Sequence, residues 1–509
     1  LVAAPTPERR LRLAHALLER IEHRGAPGHR YGLLDVPRWG VALGVHRLPI
    51  VGGGAGAQPA RSASGGLVLA FNGEVYRYRS LALRLPAVRS DPCAGDTAVL
   101  AELLDRPEPL RALESLDWEG AFVALDTVRG RLLAARDHLG IKPLYWSRTR
   151  AGDLLVSSEL KAFLAVDGVE RIEVVPPGAF LELALDAPDA SWSETRYAEV
   201  GCAEDPDLAG LDEESLLGLL RDRLLAAVAA RVPSFPYAVA LSGGVDSAAV
   251  LALAARCGSP VTAYAAGNPR SPDLPHARRL CRELGVPLVE VPAPDEDALA
   301  ARLTSTIWRV ETWEWPVITH SLAMDELAAA AAADGHRVVL SGEGSDELFG
   351  GYWRDRVPAP AELHAERSRR LSELHRTNCR RLDRIGMAHT LEFRVPFLAR
   401  PVTDLARRLP TGLLVRGGLT KWALRYAVRD LVGDEIAFRP KLTMATGMGY
   451  RYGSHLAGRG LLADRLAPSP GQIEEPWASL PRSEGERHLL QLFLSLGFGS
   501  ARYLCSRSL

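Results

Sequence analysis

Cysteine is scarce and unpaired in this chain. The six cysteines among 509 residues (Cys93, Cys202, Cys257, Cys281, Cys379 and Cys505) show no Cys-x-x-Cys spacing. Their spacing resembles neither a disulfide framework nor the ligand set of a structural zinc site, and a reducing cytoplasm is the expected setting. Charge of one sign is missing too: 61 Lys and Arg against 62 Asp and Glu leave a net charge of −1. No global field draws in nucleic acid or an acidic membrane surface, so any anion site must be local. No apolar run reaches the roughly 18 residues of a membrane span, and Leu1-Val2-Ala3-Ala4-Pro5 leads straight into Glu8-Arg9-Arg10, unlike a signal peptide. Solenoid repeats and low-complexity tracts are absent. No Gly-Lys-Ser or Gly-Lys-Thr occurs, so a Walker A loop and transfer of a terminal phosphate are disfavoured.

What is present is ordinary globular material, 47% hydrophobic and 24% charged, with length enough for two domains. Residues 7–22 read as an amphipathic helix. Short β-like runs follow (Gly40 to Val45, Leu67 to Phe71, Ala121 to Leu125, Leu132 to Ala135, Leu154 to Val156). From about 180 to 212 the chain is acidic and proline-bearing without apolar period (Asp186-Ala187-Pro188-Asp189, Glu204-Asp205-Pro206-Asp207), the expected linker between domains at 1–200 and 210–509. Beyond it come a long helix (Glu213 to Val232), a buried strand (Tyr237 to Leu241), a glycine turn and a helix (Ser247 to Arg256). A second strand (Val338 to Leu340) also meets a glycine turn. These elements imply an α/β parallel sheet with a helical C-terminal cap.

In Leu241-Ser242-Gly243-Gly244-Val245-Asp246-Ser247 the glycines let backbone N–H groups approach an anion, and the following helix adds its partial positive charge. Ser242 and Ser247 can donate hydrogen bonds and Asp246 can hold magnesium. A plain strand-to-helix turn is the bland alternative. The second turn, Leu340-Ser341-Gly342-Glu343-Gly344-Ser345-Asp346-Glu347, places three carboxylates directly after a buried strand. Open α/β sheets bind ligands at that end.

The two turns, continued by Leu348-Phe349-Gly350-Gly351-Tyr352 and joined by Glu392-Phe393-Arg394-Val395-Pro396-Phe397-Leu398, Lys421 and Phe438-Arg439-Pro440-Lys441, resemble the synthetase domain of glutamine-dependent asparagine synthetases. That domain is an ATP pyrophosphatase. The resemblance implies that Leu241 to Ser247, Ser341, Gly342 and Lys421 bind ATP and its pyrophosphate, that Asp246 and Asp346 hold Mg²⁺, and that Glu343 lies beside the reacting carboxylate. It also implies a catalytic Lys441 that stabilises the adenylation and amine-attack transition states, and a further catalytic group at Glu392. A fixed lysine offsets developing charge without moving, worth on the order of 3 kcal/mol in a dry site.

Arg47-Leu48, Asn72-Gly73-Glu74 and Asp96 likewise resemble the glutamine pocket of the family's N-terminal-nucleophile (Ntn) amidohydrolase domain, an αββα glutaminase. His23-Arg24-Gly25, Gly56-Ala57-Gln58-Pro59, Arg136 to Gly140 and Ser158 to Ala162 reinforce the match. Arg47 would pair with glutamine's α-carboxylate, Glu74 and Asp96 with its ammonium group. Asn72 and the Gly73 N–H would form an oxyanion hole. Taken alone, Asn-Gly-Glu is a hairpin turn.

The family's nucleophile is an N-terminal cysteine, whereas residue 1 here is Leu. That cysteine and the first strand are expected on a short segment ahead of Leu1, the other reading being a relic domain. None of the six cysteines can substitute, since none supplies the free α-amino base. In the acceptor segment Glu311-Thr312-Trp313-Glu314-Trp315-Pro316-Val317-Ile318-Thr319-His320-Ser321, Trp313 and Trp315 stand near the expected acceptor pocket, packing being the equal alternative for both, and Thr319 takes the place of a usual arginine. Aspartate is the family default, and a specialised carboxylate competes with it. A lactam- or macrolactam-forming relative and a non-catalytic binding relic are competing functions. Trp353-Arg354-Asp355-Arg356 lacks the tyrosine that β-lactam formers carry, and intact Asp246, Glu343, Asp346 and Lys441 argue against a relic. The expectation is thus an amidotransferase using ATP, Mg²⁺, glutamine and a carboxylate substrate, with no nucleic-acid or membrane partner and a homodimer as a possible assembly.

Overall fold

The computed structural model describes residues 1–51, 56–89, 95–186, 191–352, 359–449, 473, 477, 479–481 and 484–501. Cys93, Cys505, Trp353 to Arg356 and the Ala187-Pro188-Asp189 of the expected linker lie outside them.

The first half contributes β1 (Val2–Ala3), β2 (Gly32–Val36), β3 (Val41–Val45), β4 (Ala60–Arg61), β5 (Leu67–Val75), β6 (Trp118–Asp126), β7 (Arg131–Arg136), β8 (Tyr145–Thr149), β9 (Leu154–Ser157), β10 (Val169–Val174), β11 (Ala179–Ala184) and β12 (Ser193–Arg196). They form two six-stranded antiparallel sheets, ordered β10-β8-β9-β1-β3-β2 and β12-β11-β7-β6-β5-β4. Period-two alternation decides how the layers stack. Val41, Leu43, Leu154 and Val156 face Val123, Leu125 and Leu132 between the sheets. The alternate residues Ala42 and Leu155 face Leu13 and Leu17 of the helix Pro7–Glu19. On the far side, Phe122 and Ala124 meet Val99 and Leu100 of the helix Asp96–Leu104. The result is the expected αββα sandwich.

The second half holds a parallel sheet of β13 (Tyr237–Ala240), β14 (Val261–Gly267), β15 (Leu288–Pro292), β16 (Val338–Leu340) and β17 (Glu392–Arg394), ordered β15-β14-β13-β16-β17. The order reverses between β13 and β16, so the two glycine turns leave neighbouring strands at the switch point of the sheet.

Two expectations are corrected. The linker starts later than 180, because β11 and β12 pair through Phe180 and Thr195, with Phe180 and Leu183 buried; Asp and Pro beyond residue 184 masked that short alternation. Nor does the first strand lie wholly ahead of Leu1: Val2–Ala3 sit between β3 and β9, where their brevity hid them from any periodicity.

Charged pairs with almost no solvent access join the halves. Arg24 meets Asp383 at 2.8 Å, Arg231 meets Glu119 at 2.6 Å, Lys161 meets Glu311 at 3.3 Å and Arg394 meets Glu74 at 3.0 Å.

Candidate functional sites

A cavity of about 140 Å³ opens in the sandwich, and Arg47, Asn72, Gly73, Glu74 and Asp96 all line it. Arg47 Nη2 donates to the Val51 carbonyl at 2.7 Å. Asp96, first residue of its helix, accepts from the N–H groups of Val75 (3.0 Å) and Thr97 (2.8 Å). Burial still pushes its carboxyl up to about 6. Burial likewise raises Glu74 well above the usual range, although Arg394 opposes the shift. Asn72-Gly73-Glu74 is no hairpin turn but lies within β5, paired with β6; Gly73 has φ +145°, and a Cβ there would stand 2.1 Å from the Glu119 carbonyl oxygen, so the strand admits only glycine at this point. Asn72 Oδ1 accepts from Arg24 at 3.5 Å, while Asn72 Nδ2 is buried without a hydrogen-bond partner among the described residues. An orphaned buried donor is rare and asks for a ligand atom.

Glu392 corrects the sequence reading. It lines this first cavity, bonded to Arg394 at 2.7 Å, and does not join the glycine turns. The register explains the displacement: Glu392 opens β17 opposite Val338, whereas the turns leave the other end of the parallel sheet.

At that other end Ser242 N and Oγ both lie 3.0 Å from Ser247 Oγ, closing the first turn. Gly243 takes φ +72°, with the Asp273 carbonyl oxygen 2.6 Å from where a Cβ would be. Gly244 caps the helix Val245–Ala254. The second turn touches the first, since a Cβ on Gly342 would lie 2.8 Å from Ser247 N. Ser345 Oγ donates to Asp246 at 2.6 Å. The buried Lys421 ammonium bridges Asp246 (2.6 Å) and Asp346 (2.5 Å), and Lys441 also binds Asp346. Burial alone would raise the Asp346 carboxyl, but Lys421 and Lys441 hold it well below the carboxylate range. Burial alone would lower Lys441, and Asp346 and Asp246 more than reverse that, keeping it charged. Two carboxylates on one cation also suit magnesium, which keeps one or two protein carboxylates and takes its remaining oxygens from phosphates and water.

Arg381 and Asn378, which the sequence did not single out, join Glu343, Glu347 and His320 at this site. Arg381, on the helix Asn378–Ala388, binds Glu343, and its Nη1 lies 3.2 Å from His320 Nδ1. Burial, with Arg381 nearby, pushes the His320 imidazole down to about 3, so it stays neutral. Glu347 accepts from Tyr352 Oη at 2.5 Å and from Asn378 Nδ2 at 3.1 Å, with its carboxyl raised to about 7 by burial and then by Asp346. The helix Asn378–Ala388 carries Arg380, Arg381, Asp383 and Arg384, a composition that reads as a solvated face. Only its position between two matched segments hinted otherwise.

The acceptor segment divides. Trp313 is 5% exposed and packs in the core, with its Nε1 buried without a hydrogen-bond partner among the described residues. Trp315 starts the helix Trp315–Ala333 and is half-buried. The Thr319 hydroxyl directs its one proton back to Trp315 O (3.1 Å) and Pro316 O (3.2 Å), so it offers no donor outward.

An Ntn-type sandwich joined to a parallel sheet with both glycine turns at its switch point defines an ATP-dependent amidotransferase. Residues 2–200 match the family model of a glutamine amidotransferase domain, and residues 219–359 and 354–479 match that of asparagine synthase. The chain belongs to the asparagine synthase family. It is 31% identical over 427 residues to asparagine synthetase B [glutamine-hydrolyzing] of Escherichia coli, covering 81% of this chain and 75% of that one. It is 29% identical over 505 residues to asparagine synthetase [glutamine-hydrolyzing] 1 of Saccharomyces cerevisiae, covering 89% and 85%. Over 429 residues it is 31% identical to the enzyme of Asparagus officinalis, covering 81% and 70%.

Proposed function

We propose that the chain hydrolyses glutamine in its first domain and, in its second, adenylates a carboxylate with ATP and converts it to an amide with the ammonia released. The observation that carries this reading is the gathering of Lys421, Lys441, Asp246 and Asp346 beneath two touching glycine turns.

In the first pocket Arg47 takes the α-carboxylate of glutamine, and Asp96 and Glu74 take its ammonium. The free Nδ2 of Asn72, with the Gly73 N–H, receives the oxyanion as the amide carbon becomes tetrahedral. An N-terminal cysteine of the kind the family uses would supply the attacking thiol, and Leu1 lines the pocket. In the second site the turn Ser242 to Ser247 cradles the phosphates of ATP, and Lys421 and Lys441 neutralise charge as a carboxylate oxygen attacks the α-phosphorus and pyrophosphate leaves. Asp246 and Asp346 would hold magnesium, which supplies further neutralisation of phosphate charge when bound. Glu343, oriented by Arg381, stands beside the acyl group that ammonia attacks as AMP departs. The acceptor is aspartate or a related carboxylate metabolite. With Thr319 turned inward and His320 neutral, the acceptor helix offers no cation of its own at these two positions, which favours an acceptor that needs less than aspartate's two charge contacts.

The test is substrate-dependent pyrophosphate release with aspartate and with other carboxylates, each run with ammonium and with glutamine. Release that depends on a carboxylate and yields its amide is expected. Pyrophosphate release without amide product, or none with any carboxylate, would refute the proposal.

A further inference from the structure

Away from both sites, a cavity of about 220 Å³ lies where the connection after β12 meets the second domain. Arg400 and Arg407 line it, and Arg400 Nη1 and Arg407 Nε are buried without a hydrogen-bond partner among the described residues. The acid between them, Asp404, is 3.7 Å from Arg400 Nε and 3.5 Å from Arg407 Nε, too long for charge-assisted hydrogen bonds. Its side chain is 38% exposed, so water screens it. Glu199, at the rim, is exposed. His138 adds no compensating negative charge: it is spent on Thr403 Oγ1 at 3.2 Å, and burial, then Arg400, holds its imidazole neutral. Two guanidinium groups thus share one screened carboxylate, and a buried donor without a partner needs an explanation. The remaining wall is apolar, with Leu139, Leu371 and Val200.

We propose that this cavity binds a small organic anion, a carboxylate with a short aliphatic body, whose head takes the free donors of Arg400 and Arg407 and whose chain lies against Leu139, Leu371 and Val200. A cavity of about 150 Å³ can hold benzene, so this one accommodates about six to eight heavy atoms. Arg407 also donates to the Gly201 carbonyl at 3.2 Å and accepts from Ala203 N, so an occupied site braces the connection between the domains.

The experiment uses the full chain without ATP or glutamine and titrates sodium butyrate by calorimetry, with inorganic phosphate as a second arm. Butyrate is expected to bind one saturable site, to raise the melting temperature, and to show nuclear Overhauser contacts from its methyl group to Leu371. Arg400→Gln and Arg407→Gln should each weaken binding about tenfold. Val200→Phe, which fills the cavity and keeps both arginines, should abolish it. Arg408→Gln, whose parent pairs with Asp205 at 2.9 Å, should leave it unchanged. No binding of butyrate to the wild-type chain, absence of the Leu371 contact, phosphate binding as tight as butyrate, or full binding in Val200→Phe would each overturn the proposal, the last even where an arginine variant fails to fold.

Discussion

The two sites are built from the same kind of acid held in opposite states. In the first, burial raises the carboxyls of Glu74 and Asp96, and Asp96 is answered by the backbone N–H groups of Val75 and Thr97 and the Thr97 hydroxyl. In the second, Asp346 is only partly enclosed, and two ammonium groups drive its carboxyl down. The difference is where the missing counter-charge is to come from. A pocket that buries acids without enough cations is finished by a ligand that brings one, such as the ammonium group of an amino acid. A pocket whose lysines already saturate its acids can exchange those contacts for the oxygens of a phosphate.

The strongest test of this contrast is Lys441→Ala. Pyrophosphate release should fall at least about a thousandfold, while glutamine affinity, read by calorimetry, stays within about twofold. Glu343→Ala should behave in the same way, and equal loss at both sites in either variant would end the distinction. Next in size, Gly73→Ala should unfold the first pocket, costing about 3 kcal/mol or more by denaturant titration, because its Cβ meets a backbone oxygen that cannot move aside. Gly28→Ala, where φ is +74° but the space is open, should cost about 1 kcal/mol. Similar costs would mean that the pocket backbone is not fixed.

A smaller effect sharpens the electrostatic side. Asp96→Asn should weaken glutamine binding about ten- to a hundredfold and leave ammonium-dependent turnover intact. Since the Asp96 carboxyl titrates at about 6, wild-type glutamine affinity should fall as pH drops through about 6, when the proton removes the partner of the ligand's ammonium. The Asn variant should lose that dependence, and an unchanged profile would sever affinity from Asp96. The sign for stability is the reverse. Between 3.8 and about 6 the folded state binds the proton more readily than the unfolded chain, so this group's contribution to stability falls as pH rises through that window. The smallest change expected is for Thr319→Val, whose parent hydroxyl is satisfied within its own helix; the acceptor KM should stay within about twofold. A large rise would place that hydroxyl on the substrate.

Most of the architecture was legible in the sequence because the informative signals are local. The unbroken apolar run from Ala121 to Leu125 marks a strand buried on both faces, and a strand running into Ser242-Gly243-Gly244 needs nothing remote to be understood. What failed depends on distant partners. Glu392 lies near a matched motif in sequence, but parallel register sends it to the opposite end of its sheet. For Trp313 the sequence leaves packing and pocket open, and its burial shows only once the core closes over it. Arg381 had only its place between two matched segments to mark it, since a charged helix face turns inward only when the acids of other segments surround it. The β11–β12 hairpin was hidden by the acidic stretch between its strands.

The ion pairs that cross between the halves have a consequence for anyone who would recombine them. Arg231 pairs across the junction with Asp117 and Glu119, Glu74 pairs there with Arg394, and Arg24 adds Asp383 to the Glu159 of its own half. Stranding one member of a buried pair costs about 3–5 kcal/mol. The halves are therefore not interchangeable cassettes. A chimera joining this amidotransferase half to a relative's synthetase half would have to carry the partners of Glu74 and Glu119 with it, and cutting the chain at its connection would leave two fragments each holding the other's counter-ions.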